Sequence, residues 1–393
     1  MSRTSLAVFV ALAVLVAGTA VAGDVGGNIY SSPGSITLRL EWGSSFQNAK
    51  EITKTGDGPY SFGVNIRNNT KYQIIGKSAP AGWGCKAKVI ETYLSSGAAT
   101  KTNVYCGSTT SAGIRVATWN LEFFDSADPA AKKTAIAALI NQYNFDVVLA
   151  NEVLDAASWS DFINNYLGNA SDWDFRITQG GCSLHSVTMW RKSKVTFDSG
   201  YDLNCATTNC IIDENSSTWN DCGGRRPYVA NFSVNNSTVK FTTSTIHLKA
   251  YTTVSDCQLR KDQVDTLMQW VDWAGMGSQN FVMAGDYNDQ LAGNGNCSTI
   301  DTLASMESHS GFKFATAQPG YFYSYMMGNG LVSYQTSSFM EMIDHIWVSN
   351  SLFDRLETTT DTYGDRANAV EAGMYFSPWG EPDHNPTYVV ITK

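Results

Sequence analysis

Hydrophobic and polar positions follow two different patterns along the chain, and the pattern changes near residue 110. Before that point, short segments alternate between apolar and polar residues and are separated by Gly, Pro and Asn. The clearest segments are Ser35–Leu40, Tyr60–Val64, Tyr72–Gly76 and Thr102–Cys106. Period-two alternation that is broken by turn residues is typical of an antiparallel β-sandwich. We therefore predict a small all-β sandwich domain over residues 23–107.

A small-residue linker at residues 108–113 is followed by longer apolar runs and amphipathic segments. Helical spacing of apolar residues occurs at about residues 129–143, 159–167 and 258–274. Apolar runs that predict strands lie at residues 114–119, 146–150, 186–190, 228–232, 239–246, 281–284, 343–348 and 388–391. This mixture predicts an α+β domain over residues 114–393, with two mixed sheets packed together and helices outside.

Residues 1–22 are interpreted as a secretory signal peptide. Arg3 supplies a positive charge, Leu6–Val16 is almost wholly apolar, and Ala20-Val21-Ala22 offers small residues for cleavage before Gly23. The apolar run is too short to span a membrane, and no second long apolar run follows it. The sequence therefore predicts a secreted protein, extracellular or periplasmic, without stable membrane insertion, and we expect a monomer.

The eight cysteines and the acidic net charge limit the kinds of site and the classes of protein that the sequence allows. In an oxidising compartment an even number of cysteines can pair, and the sequence has no C-x-x-C pair to indicate a zinc or redox site. Cys85 and Cys106 are expected to pair within the N-terminal domain. The other six cysteines allow fifteen connectivities, among which we favour Cys205–Cys210, Cys182–Cys222 and Cys257–Cys297. The net charge of −9 argues against a protein that coats nucleic acid by bulk electrostatics. It does not exclude a nuclease, because local cleft charge and bound cations can override the average.

Polar residues of a few types stand at the ends of the strongly apolar strands in the second domain. Asp286 and Asn288 follow one such strand, and residues two apart share one face, where they can hold a metal or a phosphate. Three of the five histidines occupy similar positions, and they are His247, His345 and His384. The other polar residues at strand ends are Asn120, Glu122, Glu152, Asp344 and Asp383. Together they predict one shared site.

The chain from about Ile114 to Lys393 resembles the endonuclease/exonuclease/phosphatase superfamily, which has the deoxyribonuclease I-like fold. The residues that carry the resemblance, in chain order, are Asn120, Glu152, His247, Asp286, Asn288, Asp344, Asp383 and His384. Each motif is common alone, and their shared order makes the resemblance specific. It implies a four-layer α/β/β/α sandwich. The N-terminal module is similar to the Ig-like or transthyretin-like repeats that precede catalytic domains in many exported bacterial proteins.

The resemblance also implies a metal-dependent phosphodiester hydrolase. Glu152 and Asn120, supported by Asp383, are expected to bind Mg²⁺ or Mn²⁺, hard cations that prefer oxygen ligands. Structural Ca²⁺ is a further option. His384 is the expected general base, and Asp344 is expected to fix its tautomer and raise its pKa.

Three more residues complete the expected catalytic set. Asp286 and Asn288 would orient the attacking water and the scissile phosphate. His247 would donate to the phosphate or protonate the leaving oxygen. The remaining histidines have weaker signals: His345 is expected to pack or hydrogen-bond on the opposite face of its strand, and His309 to lie at the surface.

Four residues are candidates for substrate binding. Arg225 and Arg226 match a position where nuclease relatives carry an arginine that contacts phosphate, although an ordinary surface loop explains them equally well. Lys249 would add local positive charge. His185 stands where relatives place Tyr or Glu near the phosphate, which leaves open whether His247 has a carboxylate partner.

The favoured function is a secreted endonuclease that hydrolyses DNA, with RNA left open. Fold alone does not choose the substrate, because the superfamily also contains sphingomyelinases, inositol phosphatases and deadenylases. A secreted sphingomyelinase-like phosphodiesterase is one alternative, in which the aromatic run Tyr321–Met327 would enter a bilayer interface, although we expect a packed strand there. A catalytically silent surface-binding protein is another, and the intact set of ligands and histidines argues against it.

Overall fold

The structure is a computed structural model, and it describes residues 23–30, 32, 34–43, 47–66, 70, 72–80, 83–87, 100–101, 104–108, 113–179, 184–203, 225–291, 297, 299–316, 333–335, 340–357, 367–369 and 383–392. The predicted signal peptide, most of the linker, the pairs Cys205–Cys210 and Cys182–Cys222, and the run Tyr321–Met327 lie outside these residues. Among the helices in the described ranges, none is long and apolar enough to cross a membrane.

The N-terminal region is all β, as predicted. Its described strands are β1 (Gly23–Tyr30), β2 (Ser35–Trp42), β3 (Asn48–Thr55), β4 (Gly58–Ile66), β5 (Tyr72–Ser78), β6 (Trp83–Ala87), β7 (Thr100–Lys101) and β8 (Val104–Ser108). One sheet has the order β4-β1-β8-β6 with β7 beside β1, and the other has the order β3-β2-β5. One core takes Val25 and Phe62 from the first sheet and Leu38 from the second.

The strand directions in this region differ from the prediction in one respect. β1 pairs with β7 and β8 in parallel, so the first sheet is mixed and the expectation of a purely antiparallel sandwich is wrong. Parallel neighbours need a long connection, and the many residues between β1 and β8 provide one.

Two of the predicted disulfides fall on described residues. Cys257 and Cys297 are joined by a disulfide, which confirms that pair. Cys85 is also disulfide-bonded, and its backbone lies opposite that of Cys106 in the β6–β8 ladder.

The larger region contains two six-stranded sheets. The strands of the first are β9 (Ile114–Phe124), β10 (Val147–Val153), β11 (Trp173–Ile177), β12 (His185–Arg191), β21 (Ala367–Ala369) and β22 (Thr387–Ile391). Those of the second are β13 (Val195–Asp202), β14 (Tyr228–Val234), β15 (Lys240–His247), β16 (Phe281–Asp286), β17 (Phe312–Phe314) and β20 (Asp344–Ser349). A short hairpin consists of β18 (Tyr334–Gln335) and β19 (Met340–Glu341).

Both large sheets are mixed, as predicted. Their strand orders are β11-β12-β10-β9-β22-β21 and β13-β14-β15-β16-β20-β17. In each sheet one central pair is parallel, β9 with β10 and β15 with β16, and the other neighbours are antiparallel. The edge strands β11 and β13 were not predicted, because their residues are largely half-buried or exposed and give little apolar signal.

The described helices are α1 (Ala130–Gln142), α2 (Ala156–Asn165), α3 (Val254–Trp273), α4 (Ala304–Glu307) and α5 (Asn350–Phe353). Side chains cap two of the three longer ones. Asp155 accepts the Ser158 N–H at the start of α2, and Thr253 accepts the Asp256 N–H at the start of α3. The three longer helices correspond to the three predicted segments.

Three hydrophobic cores separate four layers. Successive strand residues point to opposite faces, so Val147 faces the core between the sheets while Val148 faces the core beneath α1 and α2. In the same way, Val282 faces the central core and Met283 faces the core beneath α3. The arrangement is the α/β/β/α sandwich that the sequence predicted.

Candidate active site

Strand direction brings the predicted site residues to one edge of the sandwich. The parallel strands β9 and β10 both end at this edge, and so do β15 and β16. The antiparallel neighbours β20 and β22 begin there. The residues that the edge collects are Asn120, Glu152, His247, Asp286, Asp344, Asp383 and His384.

Close strand contact sets the spacing between β15 and β16 at this edge. His247 stands opposite Asp286 in the ladder, and Gly285 stands opposite Ile246. A Cβ atom on Gly285 would lie 1.8 Å from the Ile246 carbonyl oxygen. Any side chain at Gly285 would therefore push the two strands apart and separate His247 from Asp286.

Asn120 links the two sheets. Its amide nitrogen donates to Glu152 Oε1 at 3.2 Å and to Asp286 Oδ2 at 3.0 Å. His247 Nε2 lies 3.5 Å from Glu152 Oε1 and 3.7 Å from Asp286 Oδ2. The question of a carboxylate partner for His247 is answered within the described residues, since both Glu152 and Asp286 flank its Nε2.

His384 and Asp344 form a buried pair. His384 Nδ1 lies 2.6 Å from Asp344 Oδ2, and the other ring nitrogen, Nε2, lies 3.9 Å from Asp286 Oδ2 and 3.6 Å from Asp383 Oδ1. Trp119 Nε1 donates to the His384 carbonyl oxygen at 2.9 Å. Asp344 therefore fixes the ring orientation and leaves Nε2 facing the cluster of carboxylates.

The two histidines have opposite pKa shifts. Burial by itself would lower the pKa of His384, but the charge and hydrogen bond of Asp344, together with Asp286 and Asp383, raise it to about 10. Burial lowers the pKa of His247 well below its ordinary value, and the positive charges of Arg225 and His384 lower it further. One histidine is thus charged and the other neutral at pH 7.

Two carboxyl groups of the cluster are held closer to their neutral forms. Burial, and then the charge of Asp344, raises the pKa of Asp286 to about 6. Burial likewise raises the pKa of Asp383. Perturbed pKa values that concentrate at one edge of the fold mark it as a candidate catalytic site.

Asn288, which was predicted to orient water and phosphate with Asp286, makes two hydrogen bonds within the protein. Its backbone N–H donates to Asp286 Oδ1 at 2.8 Å, and its amide nitrogen donates to the Leu248 carbonyl oxygen at 3.0 Å. Asn288 therefore holds Asp286 and the end of β15 in place.

The four predicted substrate-binding residues are not gathered at one point. Arg225 lies beside the site, where its guanidinium donates to the Leu248 carbonyl oxygen at 2.8 Å. The Lys249 ammonium lies 3.6 Å from Asp256 Oδ1.

The charge of Arg226 acts on the carboxyl group of Asp202 at the end of β13. His185 begins β12 opposite Val153, and its buried Nδ1 has no hydrogen-bond partner among the described residues.

Sequence analysis missed two residues that hold the site. Asn151 is fully buried, and its side chain accepts the Asp286 N–H at 3.3 Å and donates to Ser186 Oγ at 3.3 Å. Ser333 Oγ accepts the N–H groups of Ile343 and Asp344. Asn151 precedes Glu152 at a strand end, which was a usable signal, whereas Ser333 stands in no motif.

The weaker histidines have other roles. His345 is buried, with Nε2 3.1 Å from the Asp289 carbonyl oxygen and Nδ1 3.0 Å from Thr316 Oγ1, which confirms the predicted hydrogen-bonding role. His309 is half-buried, contacts Asp272 Oδ1 at 3.0 Å and packs edge-on against Phe312. Neither histidine belongs to the cluster.

The sequence matches the endonuclease/exonuclease/phosphatase family over residues 117–377, which includes most of the two-sheet region. The chain belongs to this family. A comparison with curated proteins finds no match.

Solved structures similar to this family member have low sequence identity. Humanized D. rerio TDP2 has 16% identity and a TM-score of 0.49, and the match covers 72% of this chain and 100% of that one. An endonuclease/exonuclease/phosphatase from Bacteroides vulgatus has 15% identity, a TM-score of 0.49 and coverage of 71% and 98%. The mannosyl-6-phosphatase Bt3783 of Bacteroides thetaiotaomicron has 18% identity, a TM-score of 0.47 and coverage of 70% and 98%.

Enzymes of the endonuclease/exonuclease/phosphatase family are divalent-metal-dependent hydrolases of phosphoester bonds, and the donor set here fits such an ion. Glu152 and Asp286 place carboxylate oxygens at the Asn120 amide, and the Asp383 carboxylate lies beside His384 at the same edge. Mg²⁺ and Mn²⁺ prefer such oxygen ligands.

Ligand atoms of Asp286, Asp344 and His384 also lie within 4.8 Å of one another. His384 Nδ1 is already bonded to Asp344 at 2.6 Å, so this nitrogen is engaged. The assignment of the metal to Asn120, Glu152 and Asp383 stays a prediction.

Proposed function

We propose that the protein is a secreted, divalent-metal-dependent endonuclease that hydrolyses DNA by histidine-assisted attack of water. The observation that carries this proposal is the His384–Asp344 pair, joined at 2.6 Å, whose free Nε2 faces the same carboxylates that fit a divalent cation. A base and a cation site at one edge are the two requirements for attack of water on a phosphodiester.

His384 is the group that takes the proton from water. When bound, a divalent cation supplies positive charge that neutralises the phosphate and the surrounding carboxylates. Such a charge would offset those of Asp286 and Asp383, which raise the pKa of His384, and in its neutral form His384 would accept a proton at Nε2 from a water in the cleft. Asp344 accepts the Nδ1 hydrogen bond throughout, which keeps the ring in the required tautomer and stabilises the imidazolium that forms.

His247 is suited to binding the phosphate. Its pKa is lowered well below the ordinary value, so the ring is neutral at pH 7. A neutral imidazole donates one hydrogen bond, and Arg225 beside it adds a fixed positive charge. We assign His247 a hydrogen bond to a nonbridging phosphate oxygen, and Asp286 and Asn288 the positioning of water and phosphate.

Metal binding is assigned to Glu152, Asn120 and Asp383. The Asn120 amide nitrogen faces Glu152 and Asp286, and its oxygen accepts the Glu122 N–H at 3.0 Å. To offer this oxygen to a cation beside Glu152, the amide would have to turn over and give up that hydrogen bond.

The choice of DNA and of secretion is supported by the sequence. The resemblance to deoxyribonuclease I-like enzymes includes both His247 and His384. The Cys257–Cys297 disulfide agrees with an oxidising compartment, as the predicted signal peptide requires.

Cleavage of plasmid DNA in Mg²⁺ or Mn²⁺, with RNA and sphingomyelin in parallel, tests the proposal. We expect metal-dependent nicking of DNA that chelation abolishes. His384→Ala is expected to lower kcat by about 10²- to 10⁴-fold. Loss of the buried pair with Asp344 should also lower its thermal stability, so circular dichroism at the assay temperature checks that the variant is folded. The matched control is His309→Ala, outside the site, which should keep the rate within about twofold. Absence of nicking, together with release of phosphocholine from sphingomyelin, would show that the substrate assignment is wrong.

A further inference from the structure

Two exposed aromatic side chains flank the active-site edge. Phe123 is 57% exposed although Leu121 and Phe124 on the same strand are buried, and Tyr251 is 73% exposed in an exposed turn. Phe123 follows Asn120 on β9, and Tyr251 follows His247 at the end of β15. One ring therefore extends from each of the two sheets that form the site.

The backbone at both rings is in the left-handed region. The φ angle is 54° at Phe123, 47° at the preceding Glu122 and 74° at Tyr251. Glu152 and Asn288 also have positive φ, at 58° and 53°. Bulky side chains in this region cost free energy, and such residues persist where the surrounding structure holds them for a function.

Buried cations hold both strained segments. Lys132 has a fully buried side chain, and its ammonium lies 3.3 Å from the Glu122 carbonyl oxygen, directly before Phe123. Arg260 is equally buried, and its guanidinium donates to the carbonyl oxygens of Lys249 and, at 3.2 Å, Tyr251.

Burying a charge is costly unless the charge has a specific partner. The contacts of Lys132 and Arg260 with backbone carbonyl groups therefore fix the backbone beside Phe123 and at Tyr251, and with it the positions of both rings.

The position of Phe123 relative to the site follows from strand register. Asn120 stands opposite Asn151, and Phe124 stands opposite Val153, with a bulge between them. Phe123 and Glu152 both lie in that bulge, on strands that are separated by about 5 Å. The Glu122 carboxylate also accepts the Asp383 N–H at 3.2 Å, which ties the bulge to the segment that carries His384.

On the β15 side of the site, Tyr251 has a cationic neighbour, Lys249. The Lys249 ammonium lies 5.4 Å from the centre of the Tyr251 ring, within the range of a cation–π contact. The ring and the charge are joined to the end of β15 through Leu248, whose N–H donates to the Asp286 carbonyl oxygen at 2.9 Å.

We propose that Phe123 and Tyr251 stack on nucleobases on either side of the scissile phosphate, so that the preferred substrate is a nucleic acid strand with unpaired bases. This proposal rests on the proposed function, because it assumes a phosphodiester between Glu152 and His384. Aromatic faces beside cationic groups are the usual means of holding single strands, and bases stacked inside a duplex cannot reach them.

A lipid surface fits these observations less well. Insertion into a bilayer interface favours one contiguous apolar patch. Phe123 instead stands on a strand of the first sheet, Tyr251 stands in the turn that follows β15 of the second sheet, and Tyr251 carries a lysine over its ring.

Binding of labelled single strands in EDTA tests the stacking without turnover. The probes are a base-bearing oligonucleotide, an abasic strand with the same phosphates, and a duplex, each followed by fluorescence anisotropy. Phe123→Ala and Tyr251→Ala are each expected to weaken binding of the base-bearing strand by about 10- to 100-fold. Binding of the abasic strand should change by less than about twofold, and the duplex should bind more weakly than the single strand.

Three further variants separate stacking from other roles. Phe123→Leu keeps an apolar side chain without a ring and should behave like the alanine variant, whereas Tyr251→Phe keeps the ring and should bind like the unchanged protein. Trp273→Ala is the matched control, because Trp273 is 59% exposed at the far end of α3. Its removal should change neither probe.

Each contrary result has a defined meaning. Equal losses on the base-bearing and abasic strands would show a structural role, and unchanged binding would show no role, and either overturns the stacking. Loss of binding to sphingomyelin vesicles in the alanine variants, with strand binding unchanged, would assign the rings to lipid. Failure of the unchanged protein to cleave any nucleic acid overturns the proposed function instead, and the EDTA binding measurement still decides the stacking.

Discussion

Replacing Asp344 with Asn removes the charge that holds a proton on His384 but keeps the side-chain volume. In the unchanged protein the pKa of His384 is raised from 6.5 to about 10, with burial opposing the shift and Asp344 as the largest favourable cause. A pKa that is raised on folding contributes stability below the unfolded value of 6.5, and this stability is lost as the pH rises through the folded value.

The size of the effect follows from the same two values. Each factor of ten in a protonation equilibrium corresponds to about 1.4 kcal/mol, so the proton on His384 contributes about 5 kcal/mol well below pH 6.5 and about 4 kcal/mol at pH 7. The free energy of unfolding of the unchanged protein should therefore fall by about 1.4 kcal/mol per pH unit between pH 7 and 10, relative to Asp344→Asn. Groups that do not interact with Asp344 cancel in this difference, and Asp286, whose pKa burial and Asp344 raise to about 6, is mostly ionised over this pH range.

Urea unfolding in EDTA at several pH values between 7 and 10 measures this difference without any bound metal. A matched control is Asp272→Asn, since Asp272 also contacts a histidine, His309 at 3.0 Å, but its side chain is 68% exposed. Solvent screens that pair, and its removal should change the free energy of unfolding by less than about 1 kcal/mol at every pH.

Parallel stability curves for the unchanged protein and Asp344→Asn would refute the reasoning. They would mean that His384 does not hold an extra proton in the folded state. Asp344 would then position the ring by its hydrogen bond alone, and the charge argument for the pair would have to be abandoned.

Two other expectations concern the metal site and the disulfide. Glu152→Gln is expected to weaken Mg²⁺ binding by at least about tenfold in isothermal titration calorimetry. The control Asp354→Asn, an exposed change at the opposite edge, should leave the affinity unchanged. Equal affinities of Glu152→Gln and the unchanged protein would remove Glu152 from the metal site. Replacing Cys257 and Cys297 together with Ser should lower the free energy of unfolding by about 4 kcal/mol, because the disulfide closes a loop of 40 residues; a loss below about 1 kcal/mol would contradict this entropic estimate.

The sequence predicted the edge where the site lies because strand ends carry two kinds of information. The apolar runs give the strands, and polar residues terminate them. Two of these, Asn120 and His247, lie within hydrogen-bonding and ion-pair distance of a third, Asp286. These signals are local in the sequence, and a parallel pair of strands needs only its order to bring two ends together.

Other features depended on contacts that no local pattern records. Arg225 was predicted for the substrate and lies beside His247, but Arg226, next in the chain, acts on Asp202 because neighbouring residues in an extended segment point in opposite directions. Ser333 holds Asp344 through two backbone hydrogen bonds, and a serine in a loop gives no signal of this role. The exposure of Phe123 could not be predicted, because its neighbours in the sequence have the apolar pattern of a buried strand.

Packing between the two sheets also decides whether the site works, because its members come from both. The Asn120 amide and the Asn151 side chain belong to the first sheet, and each bonds to Asp286 of the second. A third hydrogen bond, 3.0 Å between the hydroxyls of Thr188 and Thr245, also crosses between the sheets. These polar contacts are buried, so each leaves an unsatisfied group if the sheets slide. The central core of apolar residues therefore supplies the attraction between the sheets, whereas the buried polar bonds fix the one alignment in which Asn120 and Asp286 meet.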